Sequence, residues 1–176
     1  MAASTSLSTI RNSIEQNTTE FISCYETAAK TNDPSSISVH LSSDCRRFLA
    51  SRAFRESNGI PPGTSLSNAD YQAAYQRQMP IWQVTSTEIF NLTIDVEGRK
   101  AAARTVDQGE FVDGEKLVLE FAWFLDFNDD GTEITKIVQY ADPTESLIFR
   151  TKAKELQEKL KEEAEKASES RGRVLS

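Results

Sequence analysis

The stretch KLVLEFAWFLDFNDDGTEITKIVQYAD, residues 116–142, decides the fold. In its first half Phe121, Trp123, Leu125 and Phe127 fall on one side of an extended chain and Val118, Ala122 and Phe124 on the other, so both faces are apolar enough to bury. Asn128, Asp129, Asp130 and Gly131 supply turn residues, and the second half is again rich in β-branched and aromatic side chains. The reading is a central strand joined by a hairpin to the last strand of a sheet.

Upstream of it, Phe90, Leu92 and Ile94 alternate with Asn91, Thr93 and Asp95, which predicts a strand from Val84 with one apolar face. Glu97-Gly98 turns the chain, a more polar strand follows over residues 99–111, and Asp113-Gly114 leads into the central strand, completing a meander. A two-residue turn at Asp113-Gly114 sets Phe111 opposite Lys116, and then Arg104, Val106 and Gln108 share the face of Leu119, Phe121 and Trp123. For Phe90 and Leu92 to join that face, the Glu97-Gly98 turn needs a bulge with Gly98 left-handed.

Ile10, Ile14, Phe21, Tyr25 and Ala28 recur at helical spacing, predicting a helix over residues 7–31 that ends at Asn32. Asp33 followed by Pro34 starts a short helix to about His40, and residues 43–49 read as extended. Residues 58–63, with paired prolines between glycines, form a loop. Ser67 or Asn68 then caps a helix that carries Tyr71, Tyr75 and Trp82, with Pro80 bending or ending it. After Pro143 the pattern returns to helix, and its later part is a dense alternation of Lys and Glu expected to fray from about Ala164. The domain expectation is one folded unit over residues 7–150 and a charged helical tail over 151–176.

Composition narrows the function classes. A net charge of −7 and no basic patch argue against nucleic acid, and no apolar run is long enough to span a bilayer. The first residues have no leader pattern, so a cytoplasmic protein is expected, with the sequons at Asn17 and Asn91 silent. Cys24 and Cys45 lack the spacing of a zinc site or disulfide framework and read as buried thiols. Asp126, Asn128, Asp130 and Gly131 match the first half of a calcium loop, but Ile137 occupies the twelfth position and strands flank it; a hairpin turn is expected and no metal site.

The element order, together with Asp44-Cys45-Arg46-Arg47, Pro61-Pro62-Gly63, Ser67-Asn68-Ala69-Asp70-Tyr71 and Trp123-Phe124-Leu125-Asp126-Phe127 before Asp130-Gly131, resembles the nuclear-transport-factor-two-like superfamily and its fungal SnoaL-like branch over residues 10–150. The resemblance implies an α+β cone: a curled antiparallel sheet made of the four-strand meander and a short N-terminal strand, closed by N-terminal helices, with a C-terminal helix. It also implies an internal cavity for a small apolar or polycyclic ligand, often a homodimer across the sheet, and cofactor-free acid-base chemistry of the isomerase, cyclase or dehydratase kind. Non-catalytic ligand-binding or dimerising modules share the fold, so the fold does not fix the activity.

Candidate groups follow. His40, the one histidine, is a candidate general base or a structural histidine beside a helix end. Arg46 and Arg47 are adjacent, so at most one enters the cavity; the resemblance favours Arg46, as a cation for a developing enolate or alkoxide, and if Arg47 is inside the roles swap. A surface ion pair with Asp44 or Glu120 is the alternative for Arg46. Arg104, Phe121 and Trp123 are expected in the cavity wall with Tyr71, Tyr75 and Trp82, the large aromatics serving equally well as core. Gln139 stands where related enzymes often carry an acid, and Asp142 is either an acid or a helix cap.

Overall fold

A computed structural model describes residues 6–174, with side chains through residue 167. Helix α1 (Leu7–Thr31) opens on Ser6, whose hydroxyl accepts from the Thr9 amide, and closes on left-handed Asn32. Its apolar stripe, Ile10, Ile14, Phe21, Tyr25 and Ala28, is buried as the spacing requires. Two polar residues on the same helix dock it: Ser13 Oγ and Asn17 Nδ2 both donate to the Gly131 carbonyl at 3.0 Å. Gly131 has a φ of 74°, and a Cβ there would come within 2.8 Å of Ile14, so this turn needs glycine twice over.

A 3-10 helix (Pro34–Ser38), capped by Asp33, leads to β1 (Leu41–Leu49). Helix α2 (Arg52–Ser57) and strand β2 (Ser65–Ser67) flank the proline loop, and neither was expected from the sequence. Six residues with no buried side chain, and three paired only at an edge, are too short to leave a periodic signal. Helix α3 (Asn68–Gln78) begins with a capping box between Ser67 and Asp70. It stops two residues before Pro80, which corrects the placement of Trp82: that residue begins β3 (Trp82–Asp95).

The meander continues through β4 (Lys100–Phe111), β5 (Lys116–Phe127) and β6 (Ile134–Ala141), and α4 (Pro143–Val174) follows. The sheet order is β2-β1-β6-β5-β4-β3, antiparallel throughout except that β1 lies parallel to β6. The sheet is therefore mixed, since the chain crosses over from β1 to reach its partner at the far end of the sequence. Two bulges in β3, between Val84 and Ser86 and between Phe90 and Thr93, curl the sheet around α1.

Two differences in register decide which residues face inward. Glu110 pairs with Lys116, and the Phe111 amide donates to the Glu115 carbonyl, so the β4–β5 loop has three residues and ends on Gly114 with a φ of 88°. One residue more than a two-residue turn reverses the faces: Ala103, Thr105 and Asp107 face α1, while Arg104 and Gln108 face away. The second difference is the site of the bulge, which falls at Asn91 (φ 55°) and not at Gly98. Phe90 therefore lies outside, under the Arg104 guanidinium, while Ile94 pairs with Ala101 on the inner face.

The core has two parts. One lies between α1 and the sheet around Phe21, Trp123 and Leu125; the other joins Trp82, Phe111 and Leu119 to Ala153 and Leu156 of α4. Helix α4 starts on Asp142, whose carboxylate accepts from the amides of Thr144 and Glu145. Lys152 ties α4 to the β4–β5 hairpin through ion pairs of 2.7 Å with both Asp113 and Glu115. From Gln157 to Ala167 every residue of the helix is exposed, and side chains beyond Ala167 lie outside the described residues. The backbone of α4 is helical to Val174.

Candidate active site

A cavity of about 380 Å³ opens where the two parts of the core fail to meet. Its wall takes Tyr25 from α1, Tyr71 and Tyr75 from α3, Trp82 from β3, Phe121 and Trp123 from β5, and Gln139 from β6; α4 covers it with Phe149 and Ala153. All six of these aromatic and amide residues that the sequence nominated, Tyr71, Tyr75, Trp82, Phe121, Trp123 and Gln139, do line it.

The charged candidates are distributed differently. Arg46 is exposed, paired along the sheet edge with Ser67, whereas Arg47 is only 3% exposed. Alternation along β1 buries Cys45 and Arg47 together and turns Arg46 outward, so the roles of the two arginines exchange. The signal was present in the sequence, because a cysteine read as buried carries the residue two positions on to the same face. His40 sits before β1 with a φ of 58° and bonds Glu20 at 2.5 Å on the surface, away from the cavity. Asp142 is consumed as the α4 cap. Arg104, turned out by the three-residue loop, pairs with Glu120 at 3.5 Å.

Arg47 is a buried cation with no carboxylate partner among the described residues. Its guanidinium stacks on the Tyr71 ring at 3.6 Å, with Phe21 and Trp123 at 5.6 and 5.8 Å. Nη1 donates to the Tyr25 hydroxyl at 2.7 Å and to Gln139 Oε1 at 3.1 Å, while buried Nη2 has no partner. Those bonds orient their acceptors. With its oxygen taken by Arg47, Tyr25 has its own O–H to donate and meets the Tyr71 hydroxyl at 3.2 Å, and Gln139, bound through its carbonyl, turns its NH₂ away from Arg47. Burial pushes the Tyr25 phenol well up despite Arg47, so it stays a neutral donor at ordinary pH.

The titratable group that sequence reasoning missed is Asp107. It is 5% exposed, lines the cavity, and its Oδ1 is buried with no hydrogen-bond partner. Burial pushes its carboxyl up to about 7, with the hydroxyls of Thr87 and Thr105 pulling the other way. Trp123 Nε1 donates to Thr105 Oγ1 at 3.0 Å, which leaves the Thr105 proton free for the carboxylate. Cys24, buried with its thiol pushed up to about 12, stays protonated and is no nucleophile. The arrangement thus sets a carboxyl group balanced near neutrality in an aromatic cavity that also carries a phenol and an amide donor, both held by a buried cation.

No family model and no curated protein matches this sequence. Solved structures do match its backbone. PrhC from Penicillium brasilianum superposes with a TM-score of 0.68 at 14% identity, over 84% of this chain and 92% of that one. BvnE pinacolase from Penicillium brevicompactum gives 0.67 at 18% identity, over 86% and 97%. An NTF2-like protein of unknown function from Burkholderia pseudomallei gives 0.54 at 15%, over 77% and 95%. At such identities a likeness establishes backbone architecture, and on it this chain has the cone fold of the nuclear-transport-factor-two-like superfamily.

Proposed function

We propose that the chain binds a small apolar or polycyclic molecule in this cavity and isomerises, cyclises or dehydrates it by acid-base chemistry without a cofactor. The observation that carries the reading is Asp107: a buried carboxyl with an unpartnered oxygen in an aromatic chamber, its pKa pushed up to about 7. Asp107 takes a proton from carbon next to a carbonyl. Tyr25, exchanging its Tyr71 contact for the ligand, and Gln139 donate to the oxygen on which charge develops, and Arg47 behind them supplies the positive field. Asp107 then returns the proton at another carbon, or delivers it to a β-hydroxyl that the enolate expels as water.

The setting expected from the sequence, cytoplasmic with free thiols, goes with this reading; Cys24 and Cys45 are both free and buried. No helix among the described residues is long and apolar enough to cross a membrane. A homodimer across the outer face of the sheet also belongs to it, because Phe124 remains 48% exposed there beside Tyr140 and Val118. The same apolar face is what a non-catalytic dimerising module would need, and that is the second reading.

Deuterium exchange separates them. With 2-tetralone, a bicyclic enolisable ketone, NMR should show protein-accelerated exchange at the activated methylene. Asp107→Asn should slow it by at least about 10²-fold, as expected for loss of a general base. No acceleration by the wild-type protein, or equal rates for the variant, would sink the catalytic reading and leave the binding module.

A further inference from the structure

We propose that the ligand is an amphipathic acid, whose apolar body fills the cavity while its carboxylate is held at the mouth by Arg150 and Lys154 of α4. The proposal rests on the cavity being a ligand site, as above, but not on the chemistry assigned to Asp107.

The chain is acidic, with a net charge of −7, yet its cavity is not. Among the described residues the lining holds one carboxylate, the buried Asp107, and two cations, half-buried Arg150 and exposed Lys154. Those cations stand four residues apart, hence on one face of α4, and Gln157 continues that face one turn on. No acidic residue of α4 lines the cavity: Glu145 accepts from the Glu120 amide, Glu155 pairs with Lys159, and Glu158 lies a turn beyond Lys154. Of the charged side chains of this mixed-charge helix, only the two cations line the cavity.

The two cations are held differently, and each is available to a ligand. Arg150 donates through Nη1 to the Ser57 carbonyl, which fixes its guanidinium between α2 and α4 at the rim. One edge of a planar fork remains for a carboxylate. Lys154 reaches only Glu158, at 3.9 Å and with both side chains mostly in solvent, a pairing weak enough for a ligand carboxylate to displace. Asn58, exposed at the end of α2 next to Ser57, also lines the cavity, with its NH₂ donating to the Phe54 carbonyl. Below this ring the wall is Trp82, Leu119, Phe121 and Phe149, where a charged end would be stripped of water without compensation. Polarity therefore sets orientation, with the rings inward toward Asp107 and the carboxylate outward.

The test uses 4-(1-pyrenyl)butyric acid and its neutral counterpart 1-pyrenebutanol, titrated by fluorescence against the full chain. The acid should bind roughly 10-fold more tightly than the alcohol, and added salt should weaken the acid alone. Lys154→Met and Arg150→Met should each weaken the acid several-fold and leave the alcohol unchanged. Equal affinity of the wild type for acid and alcohol would overturn the proposal. So would parallel loss of both probes in Lys154→Met, which breaks no contact holding the fold. If neither probe binds, the cavity reading falls too; if the acid preference stands while tetralone exchange fails, only the acid-base reading falls.

Discussion

At the residue scale the proposed chemistry rests on a single carboxyl, and that carboxyl also leaves a thermodynamic trace. Asp107 has a folded pKa of about 7, against about 3.9 for an unperturbed Asp. Between those values the folded state holds a proton that the unfolded state has released, so stability falls as pH rises from about 4 to 7 and levels above. At roughly 1.4 kcal/mol per unit over about three units, the ionised Asp107 costs on the order of 4 kcal/mol above neutrality. Urea denaturation should show that slope in the wild type, and Asp107→Asn should remove it and gain stability at pH 8. An unchanged slope would mean that Asp107 is solvated. Arg47 is tested by its neighbour. Arg47→Met should slow tetralone exchange by about 10²-fold, since the field behind Tyr25 and Gln139 is lost, whereas Arg46→Met, on the solvent side of β1, should stay within about twofold. Reversal of that order would return the inward position to Arg46.

At the scale of elements, α4 is two helices in function though one in backbone. Its first part places Phe149, Ala153 and Leu156 on Trp82, Phe111 and Leu119, and so forms both core and cavity roof. Leu156→Ala should cost about 2 to 5 kcal/mol by chemical denaturation, the range for a truncated core leucine. Past Leu156 the side chains described are all exposed, and their ion pairs, such as Lys166 with Glu162, join residues of the same helix. Deleting residues 165–176 should therefore change stability by less than about 1 kcal/mol. A larger loss would mean that this end docks. Another element-scale feature is Gly109, over which the Trp82 ring lies so closely that a Cβ would sit 2.1 Å from Cζ2. The β3–β4 pair can carry a tryptophan into the cavity wall only because that strand position has no side chain.

The whole molecule is a sheet curled around α1 on one face, with an exposed apolar patch among the charged residues of the other. Val118, Phe124 and Tyr140 stand exposed on the outer side, with Phe124 and Tyr140 in an edge contact at 6.2 Å. Leaving such a side chain in water forgoes roughly 1.5 to 3 kcal/mol of burial, which a second copy would recover. Sedimentation at micromolar concentration should give a dimer, and Phe124→Glu a folded monomer. A monomeric wild type would count against the interface. The cavity-side predictions do not depend on this outcome, because the cavity lies on the inner face.

Much of this protein was legible in the order of its residues. Helical spacing in α1, the capping signals at Asp33, Ser67 and Asp142, and the two-residue period of β5 are local, and local rules fix them. The aromatic wall was legible for the same reason, since large apolar side chains on a face known to be inward have few other places to go. The polar half of the site was not, because in a strand each residue's side is set by register, and register is set by turns whose length no periodicity reveals. One residue in the loop ending at Gly114 exchanged Arg104 for Asp107, and a bulge at Asn91 instead of Gly98 put Phe90 outside. Sequence alone determined the longer elements and which of them are apolar, but not the short α2 and β2. Only the tertiary structure decided which charge is shut inside, because a one-residue shift costs local structure almost nothing and inverts every side chain beyond it.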